Sequence, residues 1–344
     1  MKKIFVAMMA MAALAACSNE ETLSFDKEAI GFSNAFVNNS VRSIDSSLTK
    51  DTLQGFLVYG TTKGNHDGAQ VVNIFENTLV EKVSENVWNY AANLTQYWIA
   101  GNTYNFAAVV NANTKEDLNA ENVATDDNGM PATLTYTADG KTDLLYAYNG
   151  DIEGLVSENP AVAFTFDHLL SKVKFSFFNE SAADTNVTYT YRVSNVTMKG
   201  SYGKATCDVS AFPTYTWAEV ANSTKATTTY GNIVATPAEG ETQAENADAI
   251  KIASQKTYFS NYENLVIPGT YDVNIKCTIE LLIGDAVVDI INYDKTASVT
   301  LAGGVAYNFV LKGKVGEPIK FTVNKVQDWN NPAEVVPTPA VPAQ

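Results

Sequence analysis

The sequence predicts an all-β protein, and three observations carry that reading. Apolar residues recur at every second position in one stretch after another, the spacing that sends successive side chains to opposite faces of a strand. Gly, Asn and Asp separate those stretches at the intervals that strand connections need. Helical spacing of apolar residues is almost absent from end to end. The clearest run is Tyr271, Val273, Ile275, Cys277, Ile279 and Leu281, with Asp272, Asn274, Lys276, Thr278 and Glu280 between them. Such a strand buries one face and wets the other, as in an antiparallel sandwich.

The chain begins on a different pattern. Lys2 and Lys3 precede an unbroken apolar run from Ile4 to Ala16, which reads as a signal peptide over residues 1–16. That run is shorter than the ~20 apolar residues of a spanning helix. Leu14-Ala15-Ala16-Cys17 closes it and resembles the lipobox of bacterial lipoproteins, which makes Cys17 the expected lipidation site and the first residue of the mature chain. Residues 17–25 form a polar tether in which Glu20-Glu21 resembles the acidic residues that follow the lipidated Cys of Bacteroidales surface lipoproteins. The remaining 328 residues are enough for two domains. Losing Lys2 and Lys3 takes the formal charge from −15 to −17. A chain so acidic repels nucleic acid and anionic lipid, so no nucleic-acid partner is expected and membrane attachment falls to the lipid or to a partner.

Along the mature chain, Gly101-Asn102 joins the stretch around Tyr97 and Trp98 to a strand over Tyr104–Val110. Asp126-Asp127-Asn128-Gly129 lacks the alternating ligands and distal Glu of a calcium loop and reads as a polar turn. Asp139-Gly140 joins Thr133–Thr137 to Asp143–Tyr148 as a hairpin. Between Asn149 and Pro160 the alternation stops and Gly150, Gly154 and Asn159-Pro160 gather. This divides the chain into domains over residues 26–157 and 158–329. In the second domain, Val173, Phe175 and Phe177 mark a strand, as do Val187–Val193, the run from Tyr271, the run Val305, Tyr307, Phe309 and Leu311, and Ile319, Phe321 and Val323. Asn222 to Ala249, rich in Thr, Ala and Glu, reads as a long loop. Residues 330–344 form a Pro-rich tail that is expected to be extended and unpaired.

Catalytic constellations are missing from this pattern. His66 lies in the turn Gly64-Asn65-His66-Asp67-Gly68. His168 sits between Asp167 and Ser171, but residues so close on a strand do not converge as a triad, and no Gly-rich elbow surrounds Ser171. A structural His168 is expected. The carboxylates are scattered over polar faces and turns, no phosphate-binding loop occurs, and no metal-ligand spacing is present. The expectation is a chain with no catalytic residues, no cofactor and no metal, acting by binding or assembly. Cys207 and Cys277 permit at most one disulfide, and Cys277 lies on the apolar phase of its run, where a buried thiol acts as a small hydrophobe. Most of the 17 Tyr, 16 Phe and 4 Trp fall on core phases. Tyr258, Tyr262 and Trp217 flank loops and are the candidates for stacking on sugar rings.

Several stretches then carry a family resemblance. They are the lipobox at Cys17; Ile30-Gly31-Phe32 followed by Val41-Arg42; Leu53-Gln54-Gly55-Phe56-Leu57-Val58-Tyr59; Trp88-Asn89-Tyr90; and Tyr97 to Phe106. Phe164-Thr165-Phe166-Asp167-His168-Leu169-Leu170-Ser171-Lys172-Val173-Lys174-Phe175 and the closing Val326-Gln327-Asp328-Trp329 complete the set. In their order and spacing they resemble the fimbrillins, lipoprotein precursors of the type V pili of Bacteroidales. The resemblance implies two tandem transthyretin-like antiparallel β-sandwich domains. It also implies a structural pilin in cell adhesion, held at the outer membrane as a lipid-anchored precursor and later part of the fimbrium on the cell surface. In such pilins a protease cuts after an Arg in the first strand region. Carried onto this chain, the cut follows Arg42 and leaves Ser43 as the new start, while Arg192, in the strand Val187–Val193, is shielded. The first strand then leaves, and a C-terminal strand of another pilin subunit fills the groove. Backbone physics supports the exchange, because a strand removed from a sheet exposes apolar side chains and unpaired backbone groups that an extended donor satisfies. Pro cannot donate to a ladder, so the donor is either Ala333 to Val336 or the run Ile319–Val326. Stalk, tip and accessory positions remain open. A second reading is a non-polymerising surface lipoprotein that binds host or bacterial surface glycans or proteins.

Overall fold

The computed structural model describes residues 28–37, 48–49, 51–85, 87–182, 187–236 and 243–328. Cys17, Arg42, Ser43 and the Pro-rich tail lie outside the described residues. Within them the chain forms strands and three single-turn 3-10 segments, with no α-helix.

The first half holds β1 (Phe32–Val37), β2 (Gly55–Lys63), β3 (Val71–Ser84), β4 (Val87–Asn89) and β5 (Thr103–Val110). After them come β6 (Val123–Thr125), β7 (Pro131–Thr137), β8 (Leu145–Glu153) and β9 (Val162–His168). Seven of these close into a barrel in the order β1-β4-β3-β2-β5-β8-β9. Phe56, Val58, Phe75, Phe106, Phe164 and Phe166 fill it. β2 is buried on both faces, because Phe56 and Val58 point into the barrel while Leu57 and Tyr59 point into a separate core outside it. That is why Gly55-Phe56-Leu57-Val58-Tyr59 reads as a continuous apolar run rather than an alternating one. The boundary expected between residues 157 and 158 falls between β8 and β9, and both strands belong to the barrel. Val162, Phe164 and Phe166 supply its last wall, and the chain crosses out of it only at Leu169-Leu170.

The second half holds β10 (Ser171–Asn179), β11 (Tyr189–Tyr202), β12 (Lys204–Asp208), β13 (Thr216–Glu219), β14 (Lys225–Gly231) and β15 (Ile233–Val234). It ends with β16 (Thr257–Val266), β17 (Gly269–Ile283), β18 (Ala286–Leu301), β19 (Val305–Gly313) and β20 (Lys320–Asp328). Two sheets, β15-β16-β10-β19-β20 and β14-β11-β17-β18, enclose one core of Phe175, Phe177, Val193, Ile275, Ile279 and Phe309. This is the open sandwich that the alternation predicts, and β17 buries Tyr271, Val273, Ile275, Cys277 and Ile279 in turn. One expectation is corrected. The stretch Asn222 to Ala249 is not a single loop, because it contains β14 and β15. β14 is an edge strand in which Tyr230 alone is fully buried, and its β-branched Thr residues suit a strand without showing an apolar period.

A third sheet, β13-β12-β7-β6, draws on both halves of the chain. β12 pairs with β7 from Lys204↔Thr137 to Asp208↔Thr133. Its apolar face joins Leu57, Tyr59, Val109 and Tyr146 of the barrel's outer wall to Leu134, Cys207, Leu265 and Ile267. Barrel and sandwich therefore share a core. Cys207 sits in that core and Cys277 in the sandwich, and both are free. Burial pushes each thiol up to about 12.

Candidate functional site: the first strand and its seam

The barrel closes through β1, and the manner of its closing makes this the place to look for function. β1 joins β9 by a parallel ladder, Phe32↔Val162, Ser33↔Ala163, Phe36↔Thr165 and Val37↔Phe166, with an irregularity between Ser33 and Phe36. On its other side it meets β4 at one position, Phe32↔Trp88. Apolar contact at the seam is dense among the described side chains. Ile30 is buried, and the Phe32 ring lies 5.5–6.2 Å from the rings of Phe56, Phe75, Tyr90, Phe106 and Phe164. Around it, Ile30 N donates to Gln96 O, Tyr90 Oη donates to Ile30 O, and Val162 N donates to Gly31 O. Fully burying Ile30 and Phe32 contributes about 1.5–3 kcal/mol each.

Where β1 ends, the described chain resumes at Leu48, whose side chain is buried in the barrel core. Leu48 N donates to Asp143 Oδ2 at 3.0 Å, and Leu144 N donates to Oδ1. His168 Nδ1 lies 2.9 Å from the same Oδ2, with both side chains fully buried. The segment carrying Arg42 and Ser43 is thus bracketed by two fixed points, Val37 on β9 and Leu48 on Asp143. His168 is buried beside Asp143, as suits the structural role expected of it. Nothing in the local sequence signals that neighbour, which lies across the β8–β9 pair. Ser171 Oγ donates to Ala302 O.

The other sequence candidates fall apart in space. Arg192 lies in mid-strand opposite Glu280, its Nη1 donating to Glu280 Oε2 at 3.0 Å, and the neighbouring Tyr191 bridges to Ile252 on the other side. Asp126 Oδ1 accepts from Asn128 N and Met130 N, which makes residues 126–130 the polar turn that was expected. Trp217 packs edge-on against Tyr136 in the shared core. Tyr258 packs against the sandwich core. Only Tyr262 lines an open cleft, of about 720 Å³, between the Asp139-Gly140 turn and strands β14 and β16. The three aromatic candidates do not form one platform. Among the described residues, no group of three or more His, Cys, Asp or Glu is placed to hold a metal ion.

A family model described as fimbrillin-like matches residues 42–329. The chain belongs to the fimbrillin-like family. Among solved structures, a fimbrial protein from Bacteroides vulgatus is similar to it with a TM-score of 0.55 at 14% identity, over 86% of this chain and 99% of that one. A protein assigned to cell adhesion from Bacteroides ovatus aligns at 15% identity with a TM-score of 0.48, over 89% of this chain and 98% of that one. At such identities the first of these likenesses is one of fold. No curated protein matches the chain. Membership implies a pilin-like role in adhesion at the cell-surface fimbrium and association with other pilin subunits.

Proposed function

We propose that this chain is a structural pilin, anchored through lipid on Cys17 and assembled by proteolysis-triggered strand exchange. In this reading the cut follows Arg42, residues up to Arg42 leave with β1, and Ser43 becomes the start of the assembling subunit. The observation that supports it is the seam itself. One strand, seated by Phe32, by Ile30 just before it and by a short parallel ladder, immediately precedes the segment that carries Arg42. Its departure would bare the β9 edge and a groove walled by Phe56, Phe75, Phe106 and Phe164, which an incoming extended strand satisfies by β-augmentation. Leu48 and its bond to Asp143 stay behind and keep the crossover end of the barrel closed.

β20 pairs with β19 from Val305↔Asp328 to Lys312↔Lys320 and packs Phe321 against Phe309. Because that run is engaged in its own sheet, the proposal assigns the donor to Ala333–Val336. The exchanging units in this reading are transthyretin-like domains in tandem, and the role is non-enzymatic.

The test is treatment of the full chain with an Arg-specific protease, read by N-terminal sequencing and by size under mild denaturation. A start at Ser43 with a ladder of high-mass species is the expected result, abolished by Arg42→Ala and by deletion of residues 331–344. A trimmed protein that stays strictly monomeric overturns the polymerisation reading.

A further inference from the structure

The end of the barrel remote from the crossover carries an apolar patch that neither core explains. Two loops form it. The first precedes β5 and exposes Tyr97 and Ile99, at 44% and 57%; the second follows β8 and exposes Leu155 and Val156, at 48% and 79%. The loops are bound to each other, since Gly101 N donates to Gly154 O and Gly154 N donates to Asn102 O, both at 2.8 Å. They are therefore one surface. Exposed large apolar residues scattered singly need no explanation, but four on two mutually bonded loops mark a contact site.

Glu28, the first described residue, is pinned between these same loops. Its carbonyl accepts from Trp98 N at 2.9 Å, and its Oε2 accepts from Asn159 N at 2.7 Å and Asn159 Nδ2 at 3.0 Å. Ala29 bridges to Tyr97. The chain toward Cys17 thus departs from the middle of the patch. Cys17 stands eleven positions upstream of Glu28. Eleven residues of chain reach at most about 40 Å. A lipid on Cys17 would hold the bilayer surface within that distance of the four apolar side chains.

We propose that this patch is a membrane-docking surface, seating the lipid-anchored precursor with Tyr97, Ile99, Leu155 and Val156 in the headgroup region of a bilayer. The inference rests on lipidation at Cys17, which belongs to the function proposed above. Asp151, Glu153 and Glu158 lie beside the patch, so it suits a zwitterionic surface and is repelled by an anionic one. One apolar patch binds a bilayer weakly, and the lipid supplies the second signal that makes the contact persistent. The orientation has a consequence for processing. β1 runs from Phe32, at the docked end, to Val37, toward the crossover, so the segment with Arg42 begins at the end of the barrel facing away from the lipid.

The experiment uses the acylated full chain, extracted from membranes and reconstituted into phosphatidylcholine vesicles, with a polarity-sensitive fluorophore on Val156→Cys. Cys207 and Cys277 are buried and do not compete for the label. The control label is Val326→Cys, an exposed apolar position on β20 of the sandwich. Co-flotation with vesicles reads the anchor, and fluorescence reads the docking. The expected result is a several-fold rise at residue 156, quenched by nitroxide-bearing lipid and lost in Ile99→Glu, with no change at residue 326. Protein that floats but reports water at residue 156 overturns the docking while leaving the anchor standing. Protein that does not float overturns the anchor. A rise at residue 156 that depends on protein concentration and needs no vesicles identifies a second copy as the occupant and overturns the membrane assignment.

Discussion

Phe32 meets five aromatic rings at once, so truncating it removes the contact that seats β1 more than it removes any one neighbour. Phe32→Ala is expected to destabilise the uncut chain by about 3–5 kcal/mol, measured by denaturant unfolding. Asp143 works differently. It faces His168 and accepts from two backbone N–H groups in a dry site, so Asp143→Ala strands all three and is expected to cost about 3–5 kcal/mol. The side chain of Lys172 is 6% exposed and 3.6 Å from Glu263. Burial pulls its ammonium down to about 8, and Glu263 offsets only part of that. An unfolded Lys titrates near ~10.4, so between the two values the unfolded chain binds more protons and stability rises with pH. Unfolding midpoints at pH 7.5 and 9.5 are expected to show the wild type gaining on Lys172→Met by on the order of 2 kcal/mol. Equal slopes in the two proteins would remove Lys172 as the cause.

At the scale of elements, two strands matter for opposite reasons. β1 is short and closes a barrel, whereas β18 is sixteen residues long and pairs on one side only among the described strands. β18 exposes Val287, Val288 and Ile290 near its hairpin turn. A long edge with exposed apolar residues invites pairing with another chain, and Asp289, Asp294 and Lys295 are the charges on β18 that oppose it. Val288→Lys is expected to reduce self-association of the purified protein in light scattering, while changing its unfolding free energy by less than about 0.5 kcal/mol. Of these elements the sequence shows most of the interior strands, since β10, β17 and β19 each announce a buried face by alternation. It does not show β14, whose Thr residues have no apolar phase, nor the pairing of β1 with β9, about 130 residues away.

Over the whole molecule, the β7–β12 ladder and the core beneath it tie barrel to sandwich. Neither unit can open its face of that core without exposing the other's. A single cooperative unfolding transition is expected by calorimetry, shifted as one by Leu134→Ala, which should cost about 2–5 kcal/mol. Two separated transitions would mean that the shared sheet adds little. By itself the sequence determined the fold class and most of the interior strands, because these follow from local period and turn residues. Only the tertiary structure decided that the first unit closes as a barrel, that β1 is its fastening, that Asp143 lies beside His168, and that Glu28 emerges from an apolar patch. Each of those depends on residues far apart in the chain meeting across a sheet, and a period of two along one strand carries no information about which strand lies beside it.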